Sequence, residues 1–366
     1  MPPTFCVRPA LIARPFPLSA LLLATLLGVV ACGGGGGSAG AEGGTASQTT
    51  ASPEVPAVET TVQASVDELP SSGYASGSGE LAAWTYFQAA RTQCGFGALE
   101  QNTPLDTASR AHGKYLLAEG SDGAYATGHD EANVNNAFYT GARATDRAQF
   151  AGYGPYVIEL LTASTETYVA AGSMPQPTAA ERGERDMRSL LNSVAHLRGA
   201  MAAAHVGGVA AVTKEDRTTG SDGMTTLIVN QRLGVLVGRQ EPLPQLGAGK
   251  VASYPCEGST GIDYAFAPAT EEPNPFPRIT DTSVLLGPPI YLRADEGSDL
   301  QVTSYTLKDS AGTVVPVRTN ATPQSGHEFF MVPRQKLAPG SRYSVDLSGT
   351  ANGAAFHQQF DFQTRS

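Results

Sequence analysis

Leu191-Asn192-Ser193-Val194-Ala195-His196-Leu197-Arg198 marks where the chain passes from helix-forming to strand-forming sequence. Two readings of it are open. If 187–201 is one helix, Met187, Leu190, Leu191, Val194 and Met201 share an apolar face. At 100° per residue His196 then points away from that face. If Ser193 instead caps a new helix, His196 falls in its first turn, again off the core. Either geometry predicts an exposed imidazole. Downstream, 206–212 and 227–237 read as strands. Upstream, Ser78 is placed to cap a helix carrying Leu81, Trp84 and Phe87. Leu105, Ala108, His112, Tyr115 and Leu116 then recur at helical spacing behind Pro104. Glycine-punctuated loops run through Gly154, followed by an expected helix over 156–171 and helical sequence over 184–204. Helices first and strands afterwards within 80–240 predict an α+β domain.

Beyond Pro273-Asn274-Pro275-Phe276-Pro277 the pattern becomes strand-like to the end. Leu300, Val302, Tyr305 and Leu307 largely alternate, Asp309-Ser310-Ala311-Gly312 supplies a turn, and Tyr343, Val345 and Leu347 alternate behind Pro339-Gly340. Short strands at this spacing predict a β-sandwich over 273–366, joined to the first domain by a connector over 241–272. The stretches 337–345 and 360–364 resemble bacterial Ig-like domains.

The other end reads as an address. Arg8 and Arg14 precede the short apolar run 18–30, the pattern of a secretory signal. Val29-Val30-Ala31-Cys32, followed by five glycines, resembles the bacterial lipobox. That resemblance implies a signal peptide over 1–31 and acylation of Cys32. Gly33 after the cysteine does not resemble an inner-membrane retention signal, so an outer-membrane anchor in the envelope is expected, its face left open. Residues 32–79 are rich in Gly, Ser, Thr, Ala and Pro, with no Lys or Arg. Such sequence buries too little apolar area to offset its ordering entropy and is expected to be a flexible tether. No later segment reaches the roughly 18 apolar residues of a spanning helix. The formal charge of −10 over 366 residues disfavours a nucleic-acid partner, which needs basic surface.

Of four cysteines, Cys6 leaves with the signal and Cys32 is acylated, so Cys94 and Cys256 remain. In an oxidising compartment they most simply pair, with two buried free thiols as the alternative. HExxH, GxxxxGK[ST] and CxxC are absent, and the GxSxG string at 36–40 lies in the tether with no strand before it. Among the histidines, His327 and His357 read as surface polar residues and His112 as a satisfied core histidine on its helix stripe. His205 sits at a helix end, where the dipole accounts for it. His129, in Gly128-His129-Asp130-Glu131, and His196 are left as candidates for chemistry.

Several of these segments together resemble the CAP superfamily of cysteine-rich secretory, antigen 5 and pathogenesis-related proteins. They are Ala89-Ala90-Arg91 with Gly95 to Leu99, Gly128-His129, Asp146-Arg147 with Ala151-Gly152-Tyr153, Glu159, Ser193 to Arg198, Gly207-Gly208-Val209 and Val229-Asn230. The resemblance implies an α-β-α sandwich over 80–240 whose cleft is lined by two histidines and two acids, binding zinc or another divalent cation in some members. It places His129, His196 and Glu159 in that cleft. Glu159 is followed by Leu160 where the family has Asn, and the second acid has no clean counterpart. Glu131, Glu184 and Asp186 are its candidates. Imidazole nitrogens and a carboxylate suit a borderline cation with an open position. A hydrogen-bonded His–Glu–His brace uses the same residues without one.

The function expected from this is a non-enzymatic, envelope-anchored binding module. Its cleft would take a lipid, a small ligand, a cation or an extracellular protein. The alternative is a metal-dependent hydrolase in which His129, Glu159 and His196 hold the cation. An absent second acid and the lack of an evident nucleophile count against it.

Overall fold

Ser78 opens the first helix. Its Oγ accepts from the Leu81 amide at 3.1 Å, and α1 (Gly79–Gln93) buries Ala83, Trp84 and Phe87. The computed structural model describes residues 70–120, 128–172, 175–322 and 324–366. The leader, Cys32 and the tether as far as residue 69 lie outside the described residues. Residues 70–78, the end of the stretch read as tether, are tied down: the Tyr74 hydroxyl bonds Asp106 at 2.5 Å and its ring meets Trp84 edge-on.

A two-residue strand β1 (Glu100–Gln101) leads into α2 (Thr103–Glu119), capped by Asn102 with Pro104 in its first turn, and α3 (Ala144–Phe150) follows a long loop. Residues 156–171, expected to be helical, instead form strand β2 (Tyr156–Ala170). This stretch is crowded with β-branched and aromatic residues, whose side chains fit a pleated surface better than a helix. Along its whole length β2 pairs with β4 (Thr225–Arg239). The helical sequence over 184–204 is broken in two, α4 (Ala179–Leu191) and α5 (Val194–Ala200), with Asn192 and Ser193 at the break. Strand β3 (Val206–Thr219) completes a four-stranded sheet of order β1-β3-β4-β2.

Side-chain alternation along the sheet divides the apolar residues between its faces. Leu160, Val209, Leu233, Val235 and Val237 join α1, α4 and α5 in one cluster. Val157 and Leu236 join Leu105, Ala108, Ala148 and Tyr153 from the α2 and α3 side in another. Helices therefore cover both faces. The α1–α4 crossing is close enough to require glycine, because a Cβ on Gly183 would lie 2.6 Å from the Gly79 Cα.

The remaining strands make two further four-stranded sheets. Strands β5 (Ala252–Tyr254) and β6 (Ser259–Ile262) arise in the stretch read as connector and join different sheets. Then come β7 (Ile290–Arg293), β8 (Leu300–Asp309), β9 (Val317–Arg318), β10 (Glu328–Pro333), β11 (Arg342–Ala351) and β12 (Ala354–Thr364). The orders are β5-β7-β10-β9 and β6-β12-β11-β8. The imperfect alternation in β8 has a local cause. Its register against β11 skips at Ser348/Gly349, a bulge, and the Gln301 carbonyl occupies the space a Cβ on Gly349 would need. Tyr343, Val345, Leu347, Phe360 and Phe362 are buried, and they belong to the same apolar cluster as Trp84, Leu160 and Val235. The chain is thus a mixed α+β protein, and all its described residues fall in one compact unit. Cys94, at the C-terminal cap of α1, is bridged to Cys256 beyond β5. Among the described residues no helix is long and apolar enough to cross a membrane.

Candidate functional site

Strand β2 lies at the edge of its sheet, and Glu159 sits on the face that also carries Val157 and Leu161, toward α2 and α3. The Glu159 carboxylate is 5% exposed, and both its oxygens are hydrogen-bonded. Its Oε1 accepts from Arg147 Nη2 at 2.7 Å, and its Oε2 bonds His129 Nδ1 at 2.9 Å. Arg147, from α3, has no exposed side-chain surface and also donates to the His129 carbonyl at 3.0 Å and the Ala142 carbonyl at 3.2 Å. The same guanidinium stands 3.7 Å from Glu131 Oε1. Glu131 bonds His112 Nδ1 at 2.9 Å and accepts from the Thr140 amide at 3.2 Å. His112 Nε2 meets the Gly128 carbonyl at 3.2 Å and stands 4.0 Å from Glu159. Two buried carboxylates therefore share one buried guanidinium, with an imidazole beside each.

His196, from α5, closes the group. Its ring centroid is 6.4 Å from that of His129, tilted by 38°. His129, Glu159 and His196 are thus neighbours although they come from a loop, a strand and a helix. The exposed imidazole expected at 196 is not found: its side chain keeps only 16% exposure, because the segment after β6 folds over the start of α5. His112 is a satisfied core histidine and also a wall of this cluster.

Of the three acids considered as a second carboxylate, only Glu131 belongs here, one step behind His112. Glu184 pairs with Arg188 near solvent. Asp186 bonds Ser164 and Gln231 on the opposite face of β2. Sequence reasoning missed Glu271, which lies 3.7 Å from His196 Nδ1. No local signal could have found it, since it is 75 residues from His196. Arg147 had a signal, the Asp146-Arg147 pair, but nothing assigned it a partner.

Glu159 already bonds Arg147 and His129 through its two oxygens, so a cation held there would share it with both. Among the described residues no group of three or more His, Cys, Asp or Glu side chains is arranged to hold a metal ion. A concavity of about 580 Å³ lies elsewhere, lined in part by Arg185, Arg188 and Arg365. Each of those arginines is already paired with an acid.

The two histidines titrate in opposite directions. The hydrogen bond to Glu159 raises the pKa of His129, against the opposing effect of burial. Burial, helped by the charge of His129, lowers His196 to about 4. Burial pushes Glu159 up, but the His129 hydrogen bond, His112 and Arg147 outweigh it and hold the carboxyl below its ordinary range.

The signs give a pH profile. His196, lowered in the fold, contributes stability that is fully present above about pH 6.5. That contribution is lost as pH falls toward about 4, a loss of about 3 kcal/mol. His129, raised in the fold, contributes stability present below its unfolded pKa and lost as pH rises through its folded one. Urea unfolding across pH should show His196→Gln flattening the acid limb and His129→Gln the alkaline limb. Parallel profiles for wild type and His196→Gln would refute the assignment.

No protein-family model matches the chain, and no curated protein does either.

Proposed function

We propose that the chain is an envelope-anchored binding module of the CAP type, with an Ig-like sandwich behind it, whose cleft presents His129 and His196 to a ligand. The observation that carries this reading is the state of Glu159. Both its oxygens already bond Arg147 and His129, so the carboxylate beside His129 is a brace rather than an idle proton acceptor. A general base needs a free lone pair near its proton donor. The histidine pair, edged by solvent and backed by a rigid buried network, suits recognition instead.

The proximity of the two rings favours a second reading, the metal-dependent hydrolase. There His129 and His196 would hold a cation, which supplies Lewis acidity to a bound water. Zinc calorimetry on the full chain separates the two, run beside a His129→Ala/His196→Ala double variant and an ester-hydrolysis assay. The binding reading expects zinc uptake weaker than at a three-ligand site. It expects that uptake to vanish in the folded double variant, with no turnover at any zinc level. Zinc-dependent hydrolysis abolished by His196→Ala would replace it with the hydrolase. No zinc uptake by folded wild type would remove the cation from both readings. Co-sedimentation with phosphatidylethanolamine/phosphatidylglycerol vesicles would then test the lipid as ligand.

A further inference from the structure

The first amides of any helix lack intrahelical acceptors, and a Ser at the cap position ordinarily supplies one. At α5 it does not: the Ser193 side chain makes no capping bond. The acceptor comes from a distant part of the chain. Glu271, just past the turn Pro268–Thr270, inserts a nearly buried carboxylate that accepts from the amides of Val194 at 3.0 Å, Ala195 at 2.5 Å and His196 at 3.4 Å. The other end of α5 is matched by a cation, since the buried Arg91 guanidinium binds the Ala200 carbonyl and, at 3.1 Å, that of Ala202. An anion at the start and a cation at the end complement the peptide dipoles.

Relieved of capping, Ser193 Oγ turns elsewhere. It lies 3.2 Å from the Leu190 carbonyl, beside the Glu271 carboxylate and 2.8 Å from His196 Nδ1. The carbonyl and the carboxylate only accept, and the hydroxyl donates to the Leu190 carbonyl. Its lone pair then faces Nδ1, which must carry the imidazole proton. The tautomer follows: Nδ1–H, with the lone pair on Nε2.

We propose that Glu271 is a positioning residue for the His129/His196 cleft. By capping α5 in place of Ser193, it leaves Ser193 free to hold the His196 ring as the Nδ1–H tautomer, with its lone pair on Nε2. The sandwich side of the chain is thereby a working part of the site and not only a spacer. Two more ties from the same side reinforce it. Asn192 Nδ2 donates to the Ala265 carbonyl at 2.7 Å, and Arg198 Nε donates to both Glu328 oxygens at 2.9 Å. This inference rests on the binding reading for its consequence, but not for its geometry.

The test uses the full chain, with Glu271→Gln and, as a control that loosens the far end of α5, Glu328→Gln. The direct readouts are ¹⁵N shifts of the His196 ring and hydrogen exchange at Val194 and Ala195. Wild type should show the Nδ1–H tautomer and protected amides at these two positions, where an uncapped helix start would be unprotected. Glu271→Gln should speed their exchange by at least about tenfold, the scale of a lost charge-assisted hydrogen bond. It should also move His196 toward the Nε2–H tautomer and weaken zinc uptake, and Glu328→Gln should leave the tautomer unchanged. Unprotected Val194 and Ala195 amides in wild type would overturn the proposal, even if Glu271→Gln fails to fold. So would an Nε2–H tautomer in wild type, or an unchanged tautomer in folded Glu271→Gln. Absence of zinc uptake by wild type would count against the cation ligand alone, because the tautomer and exchange readouts need no ligand.

Discussion

Replacing Cys94 and Cys256 together by alanine is expected to lower the unfolding free energy by about 5 kcal/mol, the ceiling for a single cross-link. The bridge joins positions 162 residues apart, and so long a loop removes much of the freedom of the unfolded chain. It also acts where the fold needs it. Cys94 ends α1, and Cys256 follows the strand β5 that opens the two later sheets, so the bond staples the first helix to strands arising late in the chain. Urea unfolding without reductant checks this, with reduced wild type beside the variant to separate the cross-link from the packing of the buried Cys94 side chain. A loss below about 1 kcal/mol in both would mean that the unfolded chain is already compact enough to make the bridge redundant.

Arg147→Met is expected to cost about 4 kcal/mol, the scale of breaking a buried ion pair by removing one partner. The guanidinium has no exposed surface and separates two carboxylates, Glu131 and Glu159, which are themselves almost fully buried. Without it both must be neutralised or hydrated, and the His129 carbonyl loses a donor as well. Lysine should rescue only part of the loss, because a point charge cannot reproduce the fork that serves Glu159, His129 and Ala142 together. A double-mutant cycle with Glu159→Gln supplies the check. The double variant should be less destabilised than the sum of the singles, since it removes the stranded charge along with its partner. Additive losses would show that Arg147 and Glu159 do not work as a pair.

Local chemistry was legible in the residues themselves. Ser78 before Leu81, Trp84 and Phe87 specified α1, and the helical spacing behind Pro104 specified α2. The cysteine pair was expected once Cys6 and Cys32 were set aside, and the bridge is present. The alternation of Tyr343, Val345 and Leu347 specified a half-buried strand, because period-2 burial needs no distant information. Residues 156–171 were misread as helix although their β-branched and aromatic content already leaned toward a strand. What decided it was β4, which offers fifteen registered partners and lies more than fifty residues further along the chain.

The site divides in the same way. His129 and His196 stood out as histidines off the core, and Glu159 came in by resemblance. Their meeting over an edge strand is a property of sheet order, which periodicity does not encode. The exposure expected for His196 was wrong because a residue on the outer side of its own helix can still be covered by another part of the chain. Glu271 shows this most plainly. Nothing at 271 announces a cap, and nothing at Ser193 announces that its usual work is done by an acid far along the chain. Sequence determined most of the local elements and the chemical types at the site, since both depend on neighbours in the chain. Only tertiary structure decided which carboxylate braces, which positions, and which nitrogen of His196 holds its proton. Those choices are made by burial and by hydrogen-bond partners that arrive from elsewhere in the fold.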